Sequence, residues 1–347
     1  IRFFCQVIDE AQFIKNHATQ GAKAVKQIHA DFHIALTGTP VENRLSELWS
    51  IFDYLMPGFL YGYQQFRQQI ESPIVRSQDQ EALKKLQTMI RPFVLRRLKK
   101  DVLKDLPDKI EKNLFAELEG EQSELYRARA QRLMMQLSRQ SEDEFRDSRF
   151  QVLSELTRLR QICCDPGLLY EDYHGSAAKV ELCMELLKNA LEGGHRVLLF
   201  SQFTSMLDLL AERLQKEKIS SIMLTGATSK EERAELVKRF QAGEVSVFCI
   251  SLKAGGTGLN LTAADLVIHF DPWWNAAVEN QATDRAHRIG QKQVVTVYRL
   301  IAKNTIEEKI LKLQEAKKEL AQQVLSGDEL KSASFTREEL LGLLEYV

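Results

Sequence analysis

The second half of the chain alternates short, continuous apolar runs with longer segments of helical spacing. Val197–Phe200, Ser221–Leu224, Val245–Ile250, Leu266–Phe270 and Val294–Leu300 are the apolar runs. Between them, Val180–Leu191, Met206–Gln215 and Lys230–Gln241 repeat apolar residues every three or four positions. Runs without polar alternation predict strands buried on both faces, and helices of this length between them predict a parallel sheet covered on both sides. Each strand runs into a polar loop: Ser201-Gln202, Thr225-Gly226 and Ser251 to Asn260. In an open parallel sheet such loops collect along the carboxyl edge, where ligands bind.

The first half carries the same signals more sparsely. Phe3–Ile8 predicts a buried parallel strand that ends at Asp9-Glu10, and His33–Leu36 a second strand that runs into Thr37-Gly38-Thr39-Pro40. Leu45, Leu48, Trp49, Phe52 and Leu55 form a core-facing helical stripe. Residues 57–109 are expected to be a helical insertion that turns basic toward its end, and Ile110–Leu118 alternates like a strand. After Gly120 a long helical stretch continues through Phe150, Leu153, Leu156 and Leu159 to a stop at Asp165-Pro166-Gly167. The expected organisation is residues 1–120, a helical protrusion over 121–175, an α/β domain over 176–312, and a C-terminal helix and tail over 313–347. An amphipathic helix is expected over 305–325, ended by Gly327.

Composition narrows the function classes. The 347 residues are 44% hydrophobic and 27% charged, with a formal net charge of -1, so no global basic field marks the chain as a nucleic-acid binder. Locally, Arg91, Arg96, Arg97, Lys99, Lys100, Lys104 and Lys109 face only Asp101, Asp105 and Asp108. That excess suits a nucleic-acid backbone, a solvated face or a salt-bridged surface between domains. Five cysteines without C-x-x-C spacing suggest a reduced, cytosolic compartment and no zinc site. No apolar run is long enough for a membrane span, and no signal peptide opens the chain. The chain begins inside a hydrophobic run on a residue other than Met, and is expected to belong to a longer protein.

Candidate chemistry sits in three places. Asp9-Glu10 at a strand end suits Mg²⁺ held through its water shell and a carboxylate that orients water, or is simply a strand cap. Gln281, Arg285 and Arg288 in QATDRAHRIGQ are spaced i, i+4 and i+7, so a helix would hold them on one face, aimed at a phosphate or at solvent. Gly255, Gly256 and Gly258 allow close backbone approach to a phosphate, although a lone Gly-rich loop is a weak signal.

Taken in order, DEAQ, LTGTPVEN, LLFSQF, LTGATS, SLKAGGTGLNLTAADLVIHFDPWWN and QATDRAHRIGQ resemble motifs II to VI of the Swi/Snf-type DNA translocases of helicase superfamily two. The resemblance runs from about Val7 to about Lys312, and its DEAQ is closest to bacterial members. It implies two RecA-like lobes with helical protrusions, closing over ATP while double-stranded DNA lies across both. It further implies catalytic roles for Asp9 (Mg²⁺), Glu10 (water), and Arg285 and Arg288 (arginine fingers). Nucleotide coupling would fall to Gln12, Thr37, Thr39, Gly256, Gly258 and Gln281, and DNA contact to Ser201, Gln202, Thr225, Gly226, Ser251 and Lys253. Trp273-Trp274 would brace the turn before the arginine segment. The implied cofactors are ATP and Mg²⁺. The implied partners are double-stranded DNA and a DNA-bound protein substrate, with no membrane, a monomeric chain and a cytoplasmic, nucleoid-associated location.

Two departures stand out. Ala276 occupies a position where the family often has Pro, and no G-x-x-x-x-G-K-[ST] occurs in the 347 residues. The phosphate cradle is therefore expected upstream, and this chain alone is expected to be inactive. The alternatives are a non-catalytic DNA-binding or regulatory module, or an RNA-directed helicase of the same superfamily.

Overall fold

The computed structural model describes residues 1–38, 44–77, 79–97, 99–255, 258–312 and 314–315. The chain separates into two compact units, Ile1–Arg96 and Arg97–Lys312, each with its own core.

In the first unit, β1 (Phe3–Ile8) and β2 (Ala30–Ala35) pair in parallel, in register from Phe3↔Ala30 to Ile8↔Ala35. The Leu45–Leu55 helix lies against them: Tyr54 donates from its hydroxyl to the Gln6 carbonyl at 3.1 Å, and its ring meets His33 edge-on. Leu45, Leu48, Trp49 and Phe52, the stripe expected from the sequence, pack against Phe66, Ile70, Leu83 and Leu86 of the following helices. Among these helices Gln80–Ile90 is capped by Asp79. The pairing is parallel as expected, and within this chain Phe3, Phe4 and Val7 of β1 and Phe32 and Ile34 of β2 are exposed: burial on both faces needs helices on both sides, and among the described residues only one face of this pair is covered.

The second unit is built on a six-stranded, wholly parallel sheet in the order β3-β8-β7-β4-β6-β5. Its strands are β3 (Lys109–Ala116), β4 (Val197–Ser201), β5 (Ser221–Leu224), β6 (Val247–Ser251), β7 (Leu266–His269) and β8 (Val295–Ala302). Side chains alternate between two cores. Val197, Leu199, Val247 and Cys249 meet the Ala178–Glu192 and Thr204–Lys216 helices on one face. Leu198, Phe200, Phe248 and Ile250 meet Phe240 and Ala282 on the other. This is why the strands read as unbroken apolar runs. The Lys230–Ala242 helix shows how local sequence sets the boundaries: Ser229 accepts from the Glu232 amide at its start, and Gly243 takes a left-handed φ of 83° at its end.

β3 corrects the expected organisation. Assigned above to residues 1–120, it pairs along its whole length with β8 and completes the second sheet. Its alternating pattern fits an edge strand, which says nothing of which sheet it joins. The protrusion is a helical hairpin, Gly120–Arg139 and Glu142–Cys164, whose second helix starts at a Ser141/Glu144 capping box. Residues 306–312 are helical; the rest of the helix expected over 305–325, with Gly327, lies outside the described residues apart from 314–315.

His269 is a buried titratable group in this sheet. Its Nε2 lies 2.9 Å from the Thr283 hydroxyl, its ring stacks on Phe200, and its Nδ1 has no partner among the described residues. Burial, and then Arg299, push its pKa from 6.5 down to about 3. The unfolded chain thus binds one more proton than the folded chain between those values, and stability falls as pH is lowered through that window. His269→Gln, which keeps a hydrogen-bonding partner for Thr283, is expected to lose less stability than the parent between pH 7.5 and 4.5 in urea unfolding. Equal losses would place the acid sensitivity elsewhere.

Candidate active site

In the first unit the site is the carboxyl end of β1. The Leu36 amide donates to the Ile8 carbonyl at 2.8 Å and the Ala11 amide to the Leu36 carbonyl at 2.9 Å, locking the two strand ends side by side. Between these bonds the chain turns sharply at Glu10, which adopts a left-handed φ of 52° and ψ of 51°. For a residue with a Cβ that conformation costs on the order of 1–2 kcal/mol. Asp9 accepts from the Glu10 amide at 2.8 Å and is itself exposed. Gln12 links the two strand ends, donating to Glu10 Oε2 at 2.5 Å and accepting from the Thr37 hydroxyl at 2.8 Å. Glu10, Gln12 and Thr37, singled out from two separate stretches of sequence, therefore meet in one hydrogen-bonded chain. Thr39 lies outside the described residues.

In the second unit, parallel pairing brings the ends of β5, β6, β4 and β7 to one edge. Thr225 and Gly226 turn there, with the Thr225 amide donating to the Thr228 hydroxyl at 3.0 Å. Lys253 projects into solvent from the short Leu252–Gly255 turn of helix. Gly258 has a left-handed φ of 48° with open space around it, so conformation and not crowding favours glycine there. Gly256 lies outside the described residues.

Two residues expected to face DNA are internal. Ser201 is fully buried, donating to Asp271 Oδ1 at 2.5 Å and accepting from the Phe203 amide at 3.1 Å. Ser251 is buried as well. Gln202 is half-buried and accepts from Arg160 at 2.9 Å, leaving its Nε2 without a partner among the described residues.

The arginine segment also departs from expectation. The helix that contains Gln281 runs from Ala276 to Thr283 and stops, so Arg285 and Arg288 are not on it. They sit in a chain of turns, with Arg285 buried and Arg288 exposed. The turns are anchored to the loop after Gly258: the Leu261 amide donates to the Arg285 carbonyl at 2.9 Å, and Arg288 Nη1 to the Leu259 carbonyl at 3.3 Å. Gln291 holds the far end, donating to the carbonyls of Ala264 and Ala286 at 2.7 and 3.1 Å. Helical spacing is necessary for a shared face but not sufficient. Here short-range backbone bonds, such as Arg285 amide to Ala282 carbonyl and Ala286 amide to Thr283 carbonyl, give turns, and side-chain bonds to backbone anchor them.

Several organising residues were not singled out from sequence. Arg160, from the second hairpin helix, is 2% exposed; it donates to the Pro272 carbonyl and lies 3.8 Å from Asp271 Oδ2. Its guanidinium stands over the rings of Phe203, Trp273 and Trp274. From the other side, Glu279 accepts from the Trp273 amide at 2.6 Å and from Arg299 Nε at 3.2 Å, and Arg299 Nη2 reaches Glu111 at 2.8 Å. Burial alone would push the Glu111 pKa up, but Lys109 and Arg299 outweigh it and hold it at about 2. The Trp273-Trp274 turn is thus braced from both sides. Asp271 follows an apolar strand just as Asp9 does, so the same signal would have found it.

Comparison with known proteins completes the picture. Residues 1–168 match the model of the SNF2-related domain, and residues 178–290 that of the helicase conserved C-terminal domain. The chain is 42% identical over 349 aligned positions to an uncharacterized ATP-dependent helicase of Mycoplasma pneumoniae, covering 99% of this chain and 33% of that one. It is 41% identical to the putative ATP-dependent helicase/translocase YwqA of Bacillus subtilis, covering 92% of this chain and 35% of that protein. It therefore spans about a third of the length of these relatives. Among solved structures, the SWI2/SNF2 ATPase core of Sulfolobus solfataricus in complex with dsDNA shares 37% identity at a TM-score of 0.58, over 100% of this chain and 74% of that one. The C-terminal domain of that ATPase shares 32% identity at a TM-score of 0.56, over 69% of this chain and 100% of that one. Together with the strand-end carboxylates and the anchored arginine turn, these matches establish that the chain belongs to the Swi/Snf (SNF2) family of superfamily-two, helicase-like ATPases.

Proposed function

We propose that this chain is part of an ATP-dependent translocase on duplex DNA, in which Asp9, Glu10, Arg285 and Arg288 belong to the ATPase site and Gln12, Thr37 and Gln281 couple that site to movement. The observation that carries the reading is the 284–291 turn. Two arginines on a segment anchored by backbone bonds, beside a glycine loop and the carboxyl edge of a parallel sheet, form a preorganised source of positive charge for a phosphoryl group. That a relative of the same family is known as a complex with dsDNA supports duplex DNA as the track.

The residues present suit a magnesium nucleotide in part. Asp9, exposed at a strand end, offers a carboxylate for a hydrated cation, and Glu10 is oriented by Gln12 so that it can hold a water through its carboxylate. The nucleotide supplies the transferable phosphoryl group; the arginines would balance the charge that develops on it. The 347 residues contain no G-x-x-x-x-G-K-[ST] cradle, so the fit to the nucleotide rests on the carboxylates and the arginines alone. DNA contact falls to Lys253, Thr225 and Gly226, which reach the surface, and through Gln202 to the Trp273-Trp274 turn. Ser201 and Ser251 act from inside by shaping those loops. A cytoplasmic location beside the nucleoid and a DNA-bound protein as cargo complete the proposal.

The test is ATP hydrolysis by the intact protein with duplex DNA, single-stranded DNA and RNA, together with displacement of a third strand from a DNA triplex. Stimulation by duplex DNA with triplex displacement is the expected result, and the 347-residue chain alone is expected to show no turnover. Stimulation by RNA alone would make the protein an RNA-directed helicase. Nucleic-acid binding without hydrolysis by the intact protein would make it a regulatory module.

A further inference from the structure

The turn carrying Arg285 and Arg288 has left its helix, so its shape depends on groups outside it. The Gly258 loop and Gln291 supply anchors on one side. The others come from the segment through which the chain leaves Ile1–Arg96 and enters β3. Lys99 Nζ lies 2.6 Å from Asp284 Oδ1 and 3.3 Å from the His287 carbonyl, so one ammonium closes a ring around Arg285 and Ala286. His287 Nε2 lies 2.8 Å from the Pro107 carbonyl. A carbonyl can only accept, which makes Nε2 the protonated nitrogen of that ring. His287 is 9% exposed, and its own amide donates to the Thr283 carbonyl at 3.1 Å.

We propose that residues 99–108 are a clamp on the arginine turn, with Lys99 and His287 as its positioning residues. The proposal rests on the reading of Arg285 and Arg288 as ATPase residues and adds how their placement is controlled. The far end of the clamp is tied into the sheet, because β3 begins at Lys109 and is bonded to β8 from Lys109↔Val295 onward. Its near end is the chain leaving Arg96. A change in the path of that chain is felt first at Lys99, and through Asp284 and the His287 carbonyl at Arg285. The segment entering β3 thus bears on the charge that serves hydrolysis as well as continuing the chain. Part of the basic stretch Arg91–Lys109 is thereby used within the protein and not on a nucleic-acid backbone.

The test uses charge reversal at exposed positions of the intact protein: Lys99→Glu, Asp284→Lys and the two combined. With duplex DNA present, Lys99→Glu is expected to lower kcat about tenfold, with KM for ATP and Kd for DNA within about threefold of the parent; the combined variant is expected to regain most of the loss. Independently of activity, backbone amides of residues 285–288 are expected to exchange with solvent about tenfold faster in Lys99→Glu and at the parent rate in the combined variant. Unchanged exchange, or no recovery in the combined variant, overturns the clamp. So does a loss of DNA affinity as large as the loss of kcat, which would make Lys99 a DNA contact. If the parent hydrolyses no ATP with DNA, the proposed function fails, while the exchange measurement still decides the clamp.

Discussion

Replacing Arg285 by alanine in the intact protein is expected to lower duplex-DNA-stimulated ATP hydrolysis by about 10³-fold or more, while Kd for DNA at fixed salt changes little. The size of the effect follows from where the charge is needed. A guanidinium aimed at the transferred phosphoryl group acts on charge present in the transition state and absent from the DNA complex, so its loss appears in kcat. Arg288→Ala is expected to act in the same direction, and the two side chains divide the controls between them. Arg285 is buried, so its removal also needs a check on the melting transition. Arg288 is exposed and bonds only a backbone carbonyl among the contacts described, so its removal leaves the turn's other anchors in place. Arg285→Lys keeps the charge but loses the planar fork, and is expected to recover little. Equal losses of hydrolysis and DNA binding would show that the arginines shape the turn and do not serve the phosphate.

The second sheet was readable because its strands are buried on both faces, and a strand such as Leu198-Leu199-Phe200 has no other reason to be continuously apolar. Three things were not readable, each for a physical cause. Phe3–Ile8 looks identical whether covered on one face or two, since burial depends on neighbours that the run itself does not encode. Lys109–Ala116 alternates as an edge strand does, and its partner β8 lies almost two hundred residues on. The i, i+4, i+7 spacing of Gln281, Arg285 and Arg288 predicted a shared helical face, but Gln291 and Leu261 capture backbone groups of the turn and the helix ends at Thr283. At the candidate site, motif residues with polar tips were found and their supports were missed. Arg160 sits among apolar positions of a helix, where pattern alone assigns it to solvent, yet it is 2% exposed and grips the Pro272 carbonyl.

The largest stability effect is expected at Lys179 and Glu307. Lys179 Nζ lies 2.8 and 2.9 Å from the two Glu307 oxygens, and both side chains are completely buried. The Ala302 amide also donates to Glu307 at 2.8 Å, and Lys179 stands over the Phe270 ring. Burial works to lower the Lys179 pKa, but Glu307 outweighs it and favours the ammonium, while the same burial raises the Glu307 pKa against the pull of Lys179. Nearby, the Ile306 amide donates to the Tyr126 hydroxyl at 2.8 Å, so the 306–312 helix, the hairpin and the Ala178–Glu192 helix converge on this one pair. Removing either partner strands a charge away from water. Lys179→Met and Glu307→Gln are each expected to cost about 3–5 kcal/mol. For a unit of this size that lowers the melting temperature by roughly 10 °C. The double variant removes both charges while the glutamine oxygen still accepts from Ala302, so it is expected to be more stable than either single one. Urea unfolding of all four proteins gives the coupling directly. Additive losses would mean that each group acts through its other neighbours. A large coupling would mean that the pair earns its place by register, fixing the 306–312 helix against the hairpin whose Arg160 braces the Trp273-Trp274 turn.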